Sequence, residues 1–141
     1  MARFNLQAVM RSTFEMRNVL SLKQDDLILG YGAAAVMHGL RESTDDLDVD
    51  VAPPTYRRYC DTWTTRPEPC ITGEHIAFDK HRTIQAMPEG TETQVIKGIR
   101  VYTLAQLLKC YEFFATHPDR SPAKKAQDAI TIQAIKKKLQ G

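Results

Sequence analysis

Asp46-Leu47-Asp48 is the pair of acids best placed to do chemistry. In an extended segment, residues two apart project from the same face, so the two carboxylates stand side by side at a spacing that suits one or two divalent cations. Asp50 is next on that face, and three acids in a row repel one another unless a cation or basic side chains are close. The same alternation also fits a solvated acidic edge strand, one side of which is simply wet. Upstream residues favour chemistry. Gly32 lies fourteen positions before Asp46, in the turn between an apolar run ended by Gly30 and a short helix. Arg41 and Thr44 stand between that helix and the acids, where they can hold phosphate oxygens or fix the carboxylates. A strand, a glycine turn and a helix start offer backbone N–H groups to a triphosphate. Together these features read as a site for a nucleoside triphosphate and a metal.

Elements able to hold these residues are legible on both sides. Leu6, Val9, Met10, Thr13, Phe14, Met16 and Leu20 recur at helical spacing opposite Arg11, Glu15 and Arg17, which predicts an amphipathic helix over 6–20 with Met10, Phe14 and Met16 in the core. Leu27-Ile28-Leu29, stopped by Gly30, reads as a buried strand, and Ala33 to Leu40 as a short helix ended by Gly39. Asp46 to Val51 alternates as a half-buried strand with Leu47, Val49 and Val51 inward. Pro53-Pro54 end it, and a helix is predicted over Tyr56 to Trp63. Residues 64–73, with Pro67, Pro69 and Gly73, read as a loop. Further strands are expected over Glu74 to Asp79, with Ile76 and Phe78 inward, and over Val95 to Tyr102, broken at Gly98. Thr103 then caps one helix, and Ser121 with Pro122 opens another. The expected class is α/β (α+β): a small mixed β-sheet flanked by helices in one domain, with a core over 1–102 and a helical part over 103–141.

The chain has 141 residues and is 43% hydrophobic, enough to bury a full core without disulfide or metal staples. No stretch approaches the roughly 20 apolar residues a membrane span needs, and Met1 to Met10 contains no apolar leader, so a cytoplasmic protein is expected. Cys60, Cys70 and Cys110 have no metal-ligand or disulfide spacing and read as free thiols. The formal charge of +2 predicts no polyanion partner by itself. Its distribution is uneven: five carboxylates fall between Glu42 and Asp50, whereas six basic residues face one acid from Arg120 onward.

Leu29 to Val51, LGYGAAAVMHGLRESTDDLDVDV, resembles the signature of the nucleotidyltransferase superfamily with the DNA polymerase beta-type fold. The likeness is strongest to small stand-alone members, namely the minimal nucleotidyltransferases of toxin–antitoxin pairs and the AbiEii-like proteins. In that pattern Gly32 takes a Gly/Ser position, His38-Gly39 end the helix, Arg41 and Thr44 precede the acids, and Asp46 and Asp48 are metal ligands. Tyr31 departs from it by standing where a first glycine is expected. The resemblance implies a third carboxylate on a later strand, for which Asp79 is the first choice and Glu74 and Asp50 are alternatives. It also implies two Mg²⁺ ions and transfer of an NMP from an NTP to a hydroxyl of a protein, an RNA or a small molecule, with release of pyrophosphate. Gly30, Gly32, Arg41, Thr44, Lys124 and Lys125 would bind the nucleotide.

A different class of function remains open, in which the fold is kept but the protein acts by contact, as an antitoxin-like partner, an NTP sensor or a nucleic-acid binder. A protein partner or homo-oligomer fits either class. His38 reads as a helix-end histidine bonded to nearby backbone, while His75 and His81 flank the expected third strand. Lys136-Lys137-Lys138 suits either the basic last turn of a helix or an RNA contact.

Overall fold

Short polar side chains set where the helices start. In the computed structural model, which describes residues 3–141, a two-residue strand, β1 (Phe4–Asn5), leads into α1 (Leu6–Leu20), whose first turn is capped by Asn5 accepting from the Ala8 N–H at 2.9 Å. Residues 1 and 2, part of the stretch read as lacking a leader, lie outside the described residues. A 3-10 turn (Gln24–Asp26) precedes β2 (Ile28–Leu29), α2 (Tyr31–Met37), β3 (Ser43–Thr44) and β4 (Leu47–Val51). Then follow α3 (Pro53–Thr62), β5 (Glu68–Cys70), β6 (Gly73–Ala77), β7 (Arg82–Ala86), β8 (Thr93–Ile96), β9 (Ile99–Tyr102), α4 (Leu104–Thr116) and α5 (Pro122–Gln140). Thr103 and Ser121 cap the last two helices, accepting from Gln106 and Lys124 N–H groups at 3.1 and 3.2 Å. No helix among the described residues is long and apolar enough to cross a membrane.

Seven strands form a mixed sheet in the order β5-β6-β7-β4-β2-β9-β8, flanked by five α-helices, and β1 pairs with β3 in a separate ribbon. β4 lies between β7, to which it is parallel, and β2, to which it is antiparallel. This central position explains its composition. Pairing aligns Val101, Leu29, Val49, Ile84 and Ile76 in one row across five strands, and all five are fully buried. Burial of side chains of this size contributes about 1.5–3 kcal/mol each. The opposite face carries Asp48 beside Thr83, and Asp50 beside Gln85.

Several expectations need correction. The strand expected over Glu74 to Asp79 stops at Ala77, and a further strand, β7, follows it. Arg82–Ala86 escapes a hydrophobic reading because Thr83 and Gln85 face the polar side. Part of the proline-rich loop, Glu68–Cys70, is an edge strand, a place where Pro69 removes no bond from the sheet interior. Val95 to Tyr102 is a hairpin, with Lys97 and Gly98 both at positive φ (51° and 77°) as a tight two-residue turn requires. The short helix begins at Tyr31, earlier than Ala33, and α3 takes both prolines into its first turn. Met16 is buried as expected, but Phe14 is 45% exposed, because the buried stripe of α1 runs through Val9, Ser12, Thr13 and Met16. His38 meets the Tyr102 carbonyl through Nε2 at 2.7 Å, a bond from helix end to backbone.

Candidate functional site

One face of β4 opens into a cavity of about 410 Å³. It is lined by Asp46 and Asp48, by Tyr31, Gly32, Arg41 and Thr44, and by Tyr111, Phe114, Arg120 and Lys124 from α4, α5 and the segment between them. Residues from two distant parts of the sequence thus converge because α4 packs against α2 and β9, and α5 packs against α4.

The two acids differ in environment. Asp46, just before the strand, has a side chain 59% exposed, with His81 Nδ1 at 3.8 Å. Asp48 lies deeper: burial raises its carboxyl above the usual carboxylate range, the Asp46 charge adds to this, and the hydrogen bond from Thr83 opposes it. That bond runs from the Thr83 hydroxyl to Asp48 Oδ1 at 2.6 Å. A buried carboxylate beside an exposed one attracts a cation, since a cation would offset both the repulsion and the desolvation. The donor set fits one divalent cation. Among the described residues, however, no group of three His, Cys, Asp or Glu side chains is arranged to hold a metal.

The remaining acids have other partners. Asp79 lies in the β6–β7 turn, outside the cavity lining, where its Oδ2 accepts from Arg82 Nε at 2.8 Å and its Oδ1 from the His81 and Arg82 N–H groups. Although burial works upward, the bonds to Arg82 and to the backbone hold its carboxyl below the usual range. Glu74 accepts from the Tyr56 hydroxyl at 3.2 Å, and strand alternation puts it on the Ile76 face, away from Asp48. Asp50 is fully buried, with Oδ2 accepting from the Tyr102 hydroxyl and Oδ1 lacking a hydrogen-bond partner.

Gly32 has a clear steric reason. A Cβ there would fall 2.3 Å from Thr44 Oγ1 and 3.2 Å from Thr44 Cβ, and that hydroxyl donates to the Asp46 carbonyl at 3.3 Å. Gly32→Ala is therefore expected to displace Thr44 and lower stability by about 1–3 kcal/mol. Urea unfolding measures this, and an unchanged midpoint would show that Thr44 rotates away freely. Gly30 is outside the lining and makes room for the Tyr102 ring, which a Cβ would meet at 2.9 Å. Tyr31, in the glycine position of the pattern, keeps the left-handed backbone (φ 51°) that glycine adopts without strain. Its ring packs 5.5 Å from those of Tyr102 and Phe114, and its hydroxyl accepts from Gln85 Nε2 at 2.9 Å.

Arg41 donates to Thr131 Oγ1 from Nε and Nη2 (3.3 and 3.0 Å) and lies over the Tyr111 ring. Arg120 is held by two 2.8 Å bonds to the fully buried Asp128, so its guanidinium is fixed at the cavity wall. Lys124 lines the cavity and Lys125 does not. Gln85, Tyr111 and Arg120 entered no sequence-based site. The Thr83-x-Gln85 alternation could have pointed to the first, but the other two reach the cavity through tertiary packing alone.

The fold has solved counterparts. It matches a polyadenylate synthase of Megavirus with a TM-score of 0.59 and 12% identity, covering 94% of this chain and 32% of the other. An antigenic nucleotidyltransferase-like protein from Paracoccidioides brasiliensis matches with a TM-score of 0.53 and 13% identity, over 96% of this chain and 77% of the other. The chain has the nucleotidyltransferase fold. It spans about a third of the viral polyadenylate synthase. No family model matches the sequence, and no curated protein matches it. In this nucleotidyltransferase fold, β4 is the strand that brings the acids into the cavity.

Proposed function

We propose that the cavity binds a nucleoside triphosphate with a divalent cation and that the protein transfers the NMP to an acceptor hydroxyl, releasing pyrophosphate. One observation carries this reading: Asp46 and Asp48 open into the same cavity as Arg41, Arg120 and Lys124, so carboxylates for a cation and basic groups for phosphates line one cavity. Asp46 and Asp48 would hold the cation, which when bound supplies charge neutralisation for the phosphates. Arg120, its fork oriented by Asp128, and Lys124 would bind the triphosphate end and offset charge on the leaving pyrophosphate. Arg41 and the Gly32 backbone would fix the phosphate chain against α2. The acceptor oxygen forms a bond to the α-phosphorus as the bond to pyrophosphate breaks, and the hydroxyl proton passes to solvent. The acceptor is a protein, an RNA or a small molecule.

The test is calorimetric titration of each NTP with Mg²⁺, followed by a pyrophosphate-release assay with and without cellular RNA and protein. Lys124→Ala is expected to weaken nucleotide binding about tenfold or more, while Lys125→Ala leaves it unchanged. Equal effects of the two variants would mean that the nucleotide lies elsewhere. A second reading, nucleotide binding without transfer, is favoured by one observation: no third metal-ligating side chain joins Asp46 and Asp48 among the described residues. Binding of Mg²⁺ and NTP without pyrophosphate release, whatever acceptor is supplied, would select it.

A further inference from the structure

We infer that the site holds one divalent cation, not a pair, and that Thr83 sets this number; the inference rests on the proposed nucleotide site. Two cations 3.5–4 Å apart would have to share Asp46 and Asp48 and the phosphates, with no further acid to anchor the second. Asp48 Oδ1 already accepts from the Thr83 hydroxyl at 2.6 Å, which competes with a cation for that oxygen. Pairing puts Thr83 directly beside Asp48 on the neighbouring strand, the position from which a third side chain would reach the same cation pair. A neutral hydroxyl occupies it.

The other acids do not make up the deficit. Asp50 follows Asp48 on the same face but is sealed from the cavity and bonded to Tyr102. Asp79 is held by Arg82, and Glu74 lies on the other face of the sheet with Tyr56. Charge is instead supplied as cations of the protein itself: Arg41, Arg120 and Lys124 line the same cavity as the acids. A triphosphate would thus meet one metal at Asp46 and Asp48 together with these guanidinium and ammonium groups.

Mn²⁺ in place of Mg²⁺ makes the number measurable without turnover. Full-length protein is titrated with Mn²⁺ in the presence of an α,β-methylene nucleoside triphosphate and followed by electron paramagnetic resonance. One Mn²⁺ per chain with an uncoupled spectrum is expected. Two per chain, with the coupled spectrum of a close Mn–Mn pair, would overturn the inference and leave the nucleotide site standing, whereas no Mn²⁺ binding at all would overturn both. Thr83→Asp is expected to raise the number from one to two. If the variant folds, as checked by circular dichroism, and still binds one, Thr83 does not set the number. If it fails to fold, the wild-type stoichiometry still decides how many cations are bound, and Thr83→Ser, which keeps the hydroxyl, is expected to remain at one; a second ion there would refute the role of the Thr83 bond.

Discussion

Asp48→Asn is expected to yield a protein that is more stable than the wild type when empty and that binds a cation–nucleotide complex at least about a hundredfold more weakly. Both effects have the same cause. Burial raises the Asp48 carboxyl pKa above its unfolded value, with the Asp46 charge adding to the shift. For an acid raised in this way, the favourable contribution is complete below the unfolded pKa and is lost as pH rises through the folded one. Wherever the side chain is ionised it is therefore a cost, which an uncharged amide avoids while still accepting from Thr83. A cation would offset that cost, and asparagine brings no negative charge to attract one. Thermal unfolding without ligand, paired with titration of Mg²⁺ and NTP, measures both effects. A variant that keeps wild-type nucleotide affinity would remove Asp48 from the site.

The second large effect concerns pH. Asp50 is pushed up to about 7, mainly by burial and also by the Asp48 charge, against the lowering effect of the Tyr102 hydrogen bond. Because its folded pKa lies above the unfolded value near 4, its contribution to stability is complete below about pH 4 and declines as pH rises to about 7. The slope approaches about 1.4 kcal/mol per pH unit, roughly 4 kcal/mol across the window. Asp50→Asn retains an acceptor for Tyr102 and removes this dependence. Urea unfolding of both proteins between pH 5 and pH 8 should therefore show the variant gaining on the wild type as pH rises. Parallel curves would mean that Asp50 does not titrate in this range.

These two acids also mark how far the sequence can be read. The alternation Leu47-Asp48-Val49-Asp50-Val51 identifies the strand and its inward side, because period two is a local property of extended backbone. It does not reveal that the acid side is covered as well. Tyr102 closes over Asp50 from β9, more than fifty residues away, through pairing that no local pattern encodes. The capped starts of α4 and α5 were legible because Thr103 and Ser121 act on backbone three residues on. β7 was hidden because its polar residues face Asp48 and Asp50, so its pattern has meaning only once β4 is beside it. Asp79 followed from running the alternation of β6 two residues too far, into a turn made by its own bonds to Arg82. Arg41 and Thr44, legible between the short helix and the acids, line the cavity, whereas the Asp128 anchor of Arg120 comes from tertiary packing.

The cavity lining comes from chain segments far apart in sequence, Asp48 and Lys124 among them. A ligand that touches both acts as a reversible cross-link, closing a loop of 76 residues (124 minus 48) that nothing covalent closes. Resistance to unfolding then becomes a function of ligand concentration by mass action. In a cell, the supply of that ligand would govern how long each copy of the protein survives proteolysis as well as how often its site is filled.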